Sequence, residues 1–201
     1  TGPGGTNAIT GVAASYLDST PCLIISGQVK TTDLAEQFHV RQMGFQEIPI
    51  TKLVEPITKY AVVVKDPTKI RFHLEKAVKI AKSGRPGPVW VDIPLDVQSA
   101  EVDVSSLPGY HDETPVDCGK INKELNESVF QMFRILENSL RPIILGGNGI
   151  RLAGAEADFL KLIEKLEIPV QTSWKVMDFL ADDHPLFAGR PGIIGQRGAN
   201  F

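Results

Sequence analysis

Three clusters in this 201-residue chain have the residue types and spacing to do chemistry. Gly146-Gly147-Asn148-Gly149 closes the apolar run Pro142-Ile143-Ile144-Leu145 and opens a helical pattern. A glycine-rich strand end lets backbone approach a ligand and can present a helix N-terminus to phosphate. In Gly147-Asn148-Gly149-Ile150-Arg151-Leu152 the third glycine of a dinucleotide fingerprint is replaced by Leu152, so on spacing alone a tight turn is the stronger reading. Phe45-Gln46-Glu47 sets an amide and an acid behind an aromatic ring, close after His39, Arg41 and Gln42. Its plain alternative is a solvated helix start. The third cluster is the opening Gly2-Pro3-Gly4-Gly5-Thr6-Asn7, a glycine-rich turn of the kind that admits a close backbone approach.

Other chemistries find no foothold. No phosphate-binding G-x-x-x-x-G-K-[ST] loop occurs, and Ser26-Gly27 lacks the nucleophile elbow of serine hydrolases. His39, His73, His111 and His184 are scattered without a second ligand type at metal spacing, so no metal site is expected within the chain. His73, within the helix that follows Asp66, reads as a boundary residue and not a ligand. Cys22, inside an apolar run, reads as a small core residue; with Cys118 it makes two cysteines, too few for a disulfide framework or a cysteine zinc site.

Elements that would position these clusters alternate along the chain. With 42% hydrophobic and 22% charged residues the composition is that of a globular protein. A net charge of −3 gives no support to nucleic-acid binding. No apolar run approaches the roughly 18–20 residues that span a bilayer, and the first residues of the chain carry neither a basic n-region nor an apolar h-region. A soluble cytoplasmic protein is the expectation, with neither membrane nor nucleic acid as partner.

Residues 6–18 carry Ile9, Val12, Ala13, Tyr16 and Leu17 at helical spacing. The runs 21–26 and 60–64 read as strands covered on both faces, and a third strand follows at 88–94. Asp66-Pro67 supplies an N-cap with proline at the first helical position, Ile70, Leu74, Ala77, Val78 and Ala81 the apolar stripe, and Gly84 the stop. Strand, helix, strand implies parallel pairing. From about residue 95 to 123 periodicity vanishes and a surface linker is expected. Leu125, Val129, Met132, Phe133 and Leu136 then make a helical stripe, followed by a strand over 142–145, a helix over 152–166 and a strand over 169–174. The fold class is therefore α/β, with parallel sheets flanked by helices. Having no initiator Met and a glycine-rich turn at each end, the chain is expected to be an internal piece of a longer one, against the alternative of a complete small protein.

Several stretches together resemble the acetohydroxyacid (acetolactate) synthase branch of the thiamine-diphosphate enzymes. Gly2-Pro3-Gly4-Gly5-Thr6-Asn7 is similar to the GPG-x-x-N loop of that family's pyrimidine-binding domain. Ser19-Thr20-Pro21 through Gly27-Gln28-Val29, Phe45-Gln46-Glu47 through Ile57-Thr58-Lys59, and Ser83-Gly84-Arg85-Pro86-Gly87-Pro88-Val89 with Asp92-Ile93-Pro94 follow in family order. Pro142 to Gly147, Ile168-Pro169-Val170 and Gly192 to Asn200 resemble the first half of the central domain. The resemblance divides the chain into the C-terminal part of a pyrimidine-binding domain (1–97), a linker (98–123) and the first half of a Rossmann-like central domain (124–201).

By the same resemblance, thiamine diphosphate with Mg2+ would attack a pyruvate-like 2-keto acid through its ylide, release CO2 and pass the remainder to an acceptor. The family's activating glutamate and its metal and diphosphate motif have no counterpart in these residues, so the isolated chain is expected to be inactive. Pro3 and Asn7 would touch the cofactor's pyrimidine region, Gln28 would face the reacting centre as the catalytic candidate, and Phe45 would wall the substrate pocket. FAD is an optional second cofactor, with Arg85, Gly146, Gly147, Thr172, Ser173, Gly195 and Gly198 at the corresponding positions. The family's G-M-H-G reads Gly192-Ile193-Ile194-Gly195 here, and the run between Val29 and Phe45 is longer than in the synthases, which leaves the keto acid open. A homodimer or homotetramer is implied. The alternative from another class is a non-catalytic member serving as a cofactor-binding or assembly module.

Overall fold

A computed structural model describes residues 1–111 and 118–200. Residues 112–117 of the expected linker and the Cys118 side chain lie outside the described residues. The chain separates into two compact units, Thr1–Thr114 and Pro115–Phe201. In the first, β1 (Cys22–Gln28), β2 (Tyr60–Val63) and β3 (Pro88–Pro94) form a parallel sheet in the order β1-β3-β2. Ser26 pairs with Asp92 and Gln28 with Pro94 across β1 and β3.

β2 is covered on both faces as expected, Tyr60 and Val62 on one and Ala61 on the other, but β1 is not. The central β3 is the most deeply buried of the three. Its Val89 and Val91 pack on Ala77 and Ala81 of α4 (Ile70–Lys82), while Trp90 points the other way, onto Val12 of α2 (Ile9–Leu17) and onto Ile50 and Val54 of α3 (Ile50–Val54). On the edge strand β1, Leu23 and Ile25 stay exposed, and Cys22 is half-buried rather than a core residue. Residues alternate faces along a strand, so an edge strand needs only one apolar face even where its sequence runs apolar on both.

Helix boundaries follow local chemistry. The Asp66 carboxylate accepts from the Thr68 N–H at 2.9 Å, and one 3-10 turn at Pro67–Lys69 leads into α4, which ends at Lys82 just before Gly84 at φ 54°. The opening cluster is not a loop: Pro3–Thr6 forms a helical turn, α1, with Pro3 at its start. No helix begins at Phe45-Gln46-Glu47; α3 starts after Pro49.

The stretch after β3 is more ordered than a linker should be. It opens with a short helix, α5 (Leu95–Gln98), and Leu107 is buried. The Tyr110 N–H donates to Glu75 at 2.8 Å, whose other oxygen accepts from Arg71 at 2.7 Å. Lys76 places its ammonium 5.0 Å from the Tyr60 ring centre, 5.7 Å from Phe72 and 6.0 Å from Tyr110. Residues 107–110 are thus clasped to α4 by contacts that composition does not reveal. His73 is inside α4, its Nδ1 2.7 Å from the Tyr60 hydroxyl, and burial, reinforced by Lys76 and Lys69, holds its pKa below the ordinary value.

In the second unit α6 (Cys118–Glu137) starts earlier than its apolar stripe indicates, and Leu125, Val129, Met132 and Phe133 remain exposed. Strands β4 (Ile144–Gly146) and β5 (Val170–Thr172) pair in parallel, both shorter than expected. Asn148–Leu152, where spacing alone favours a tight turn, forms a short helix, α7, and the helix expected over 152–166 begins later, as α8 (Glu156–Leu166). Gly154, at φ 65°, separates them, a conformation that costs glycine little and other residues more. Phe159, Ile163, Val170 and Leu180 make this unit's core.

Candidate functional site

Parallel α/β sheets bind ligands beyond the carboxyl ends of their strands. At that edge of the first sheet lie Gln28, ending β1, and the segments around Gly2 and Phe45. A cavity of about 340 Å3 is lined there by Thr1, Gln28, Val29, Phe45, Leu95 and Gln98. A second, of about 310 Å3, has Gln28, Glu36, Thr51, Lys52, Val63 and Lys65 in its wall, and Lys65 pairs with Glu36.

Gln28 is buried, and its amide is committed to the protein. Nε2 donates to the Ile48 carbonyl at 2.9 Å and to Asp92 Oδ2 at 3.0 Å, while Oε1 accepts from the Val29 N–H at 3.0 Å. Asp92 is fully buried; its Oδ1 accepts from the Ser26 hydroxyl at 2.5 Å. Ser26 in turn accepts from Trp90 Nε1 at 2.7 Å. Sequence reasoning gave Asp92 and Ser26 no role. The available signal was an acid placed within the buried run Val89-Trp90-Val91-Asp92, where only a partnered carboxylate is tolerated.

Phe45 is 86% exposed at the rim of the larger cavity. Glu47 holds the preceding loop, its carboxylate accepting from the backbone N–H groups of Ala35 (2.7 Å), Met43 (3.1 Å) and Gly44 (3.3 Å). Gly2 and Gln46, both at positive φ, lie back to back: a Cβ on Gly2 would fall 2.1 Å from the Gln46 carbonyl oxygen. Pro3 and Asn7 are exposed at the two ends of α1, whose Gly5 lies over Ile50 and Trp90. The Asn7 amide makes no hydrogen bond among the described residues and so is free for a ligand.

Arg85 stands elsewhere. It precedes β3, its Nε donating to the Ser19 hydroxyl at 2.6 Å, so it lies at the amino ends of the strands, about 20 Å from Gln28 by strand rise. In the second unit Gly146 pairs with Thr172, and the Ser173 N–H donates to the Gly146 carbonyl at 2.9 Å, which brings Gly146, Gly147, Thr172 and Ser173 to one sheet edge. The Gln171 amide donates to the Ala199 carbonyl at 2.7 Å, placing the turn that contains Gly198 beside β5. Gly195 has no space for a side chain; Gly147 and Gly198 are open. Thr172 Oγ1 is buried with no hydrogen-bond partner. Among the described residues no group of three His, Cys, Asp or Glu is arranged for a metal ion, and no helix is long and apolar enough to cross a membrane.

Burial pushes the Asp92 carboxyl above the ordinary carboxylate range, against the pull of its Ser26 and Gln28 hydrogen bonds. Such a group holds its proton more tightly folded than unfolded. Its contribution to stability is complete below the unfolded value, about pH 4, and is lost as pH rises through the folded value. Asp92→Asn should remove that decline. Chemical denaturation midpoints taken from about pH 4 upward should fall less steeply in the variant than in the parent, and parallel curves would contradict the assignment.

Sheet order and the edge cavities define a parallel α/β architecture open at the carboxyl ends of its strands, and comparison with known proteins identifies which. The N-terminal TPP binding domain of thiamine pyrophosphate enzymes matches residues 1–53 and the central domain of the same enzymes matches residues 129–201. The chain belongs to the thiamine pyrophosphate enzymes. It is 36% identical over 208 residues to a probable acetolactate synthase large subunit of Methanocaldococcus jannaschii, covering 100% of this chain and 33% of that protein. The acetolactate synthase large subunit of Lactococcus lactis is 35% identical over 205 residues, and the isozyme 1 large subunit of Escherichia coli 32% over 200. In both cases all of this chain and 33% of the relative are covered. The chain thus spans about a third of the length of the curated relatives it matches.

Proposed function

We propose that these residues form part of a thiamine-diphosphate-dependent decarboxylase or carboligase of the acetolactate synthase kind, acting on a pyruvate-like 2-keto acid. Residues 1–97 are the pyrimidine-binding part, 98–123 the connection and 124–201 the first half of the central domain. One observation carries the reading: within a segment that matches the TPP binding domain, Thr1 with the adjoining Gly2, Gln28 and the Phe45 loop converge at the carboxyl edge of one parallel sheet. The cofactor, when bound, supplies a means of stabilising a carbanion next to the substrate carbonyl.

This chain's own residues hold and shield it. Pro3 and the free Asn7 amide receive the pyrimidine region, Gln28 borders the reacting centre, and Phe45 excludes water from one wall of the pocket. Mg2+ for the diphosphate, a cytoplasmic location and a homodimer or homotetramer complete the proposal. Flavin is its optional member, for which the second unit offers Gly146, Gly147, Thr172, Ser173, Gly195 and Gly198; a Thr172 hydroxyl without a partner among the described residues and the open backbone at Gly147 support it. A second reading, a non-catalytic cofactor-binding or assembly module, draws on the inward commitment of the Gln28 amide.

The test is CO2 release from pyruvate with thiamine diphosphate and Mg2+, run on the natural protein with its flanking residues and on these 201 residues alone. Turnover by the former and none by the latter is expected. Cofactor binding without turnover in the natural protein would favour the module instead.

A further inference from the structure

Asp92 occupies a place where a carboxylate is costly, the middle of the central strand and fully buried, on the same face as Trp90. Its surroundings are built to use it. Ser26 accepts from Trp90 Nε1, so its own proton is available to Asp92 Oδ1. The other oxygen faces the Gln28 amide. Asp92 Oδ2 accepts from Nε2, and the Ile48 carbonyl on the far side of Nε2 can only accept. Two acceptors flanking one end of an amide admit only its NH2 group there. Oε1 is thereby turned toward the Val29 N–H, and Val29 lines the larger edge cavity together with Phe45.

We infer that Asp92 is a positioning residue that fixes which end of the Gln28 amide stands beside the cavity at the carboxyl edge of the sheet. The inference rests on the reading of Gln28 as bordering the reacting centre. An amide turned over would present donors where an acceptor now stands, so the effect on a bound ligand passes through Gln28 and not through Asp92 itself.

The natural protein with its flanking residues tests this through a double-mutant cycle of Asp92→Asn and Gln28→Ala. The two readouts are the thiamine diphosphate dissociation constant from titration calorimetry and kcat against KM for pyruvate. Asp92→Asn is expected to weaken cofactor binding or kcat about tenfold or more, the size of a lost hydrogen bond to a charged group. In the Gln28→Ala background that effect should vanish. A loss of equal size in both backgrounds would mean that Asp92 only holds β1 to β3, and overturns the inference while leaving the Gln28 reading intact. Gln28→Ala without effect on either readout overturns both. A measurement that needs no variant stands beside these: in protein labelled with 15N-glutamine, both side-chain amide protons of Gln28 should exchange slowly with solvent. Rapid exchange would show that Asp92 and Ile48 do not hold them.

Discussion

Replacing Gly2 by alanine should destabilise the first unit by about 2–6 kcal/mol and part the opening turn from the Phe45 loop. Two costs add. Gly2 sits at φ 52° and ψ −130°, a region other residues rarely adopt and that costs them about 1–3 kcal/mol. Its new Cβ would also lie 2.1 Å from the Gln46 carbonyl oxygen, and relieving that overlap costs typically 1–3 kcal/mol. Neither partner can yield cheaply. The Gln46 oxygen is backbone, and Gln46 is itself held at φ 57° just ahead of the Glu47 carboxylate that ties the loop down. Gly4→Ala is the matched control, since nothing lies within 4 Å of a Cβ there. Urea denaturation should separate the two variants widely, and limited proteolysis should cut the 38–46 loop faster in Gly2→Ala alone. Equal stability of both would remove the Gly2–Gln46 contact from the account. Because that contact joins the turn bearing Pro3 to the loop bearing Phe45, thiamine diphosphate affinity of the natural protein should fall with it.

Trp90→Ala should be the most damaging core substitution, costing about 3–5 kcal/mol for the cavity alone. Trp90 is fully buried between Val12, Ile50 and Val54, in the central strand of the sheet. It also donates to Ser26, so its removal loosens the partner of a buried carboxylate. Trp90→Phe separates the two effects. It keeps most of the apolar contact and deletes only the Nε1–H, so a loss of about 1 kcal/mol is expected. Circular dichroism is the suitable probe, because the remaining Trp174 belongs to the second unit. A Phe variant as unstable as the Ala variant would show that the hydrogen bond, and not packing, governs this position.

Much of the architecture is written in local pattern. Asp66-Pro67 and Gly84 bracket α4 because a cap, a fixed φ and a permissive residue act on their immediate neighbours. The apolar runs at 22–28, 60–63 and 88–94 are strands for the same local reason, and the motifs along them carry the family resemblance that the comparisons bear out. The interruption at Gly154 and the clasp of Tyr110 on Glu75 escaped because each depends on a neighbour or a conformation that composition does not encode.

The sequence by itself determined the α/β class, the parallel pairing and the loops at the carboxyl edge, since periodicity and turn chemistry act over a few residues. Tertiary structure alone decided that β3 is central, that Asp92 meets Gln28 across 64 residues, and that Arg85 stands at the opposite end of the strands. Strand order and register are set by which apolar faces bury each other best, a property of the whole sheet, and they choose which polar groups must find one another once water is gone.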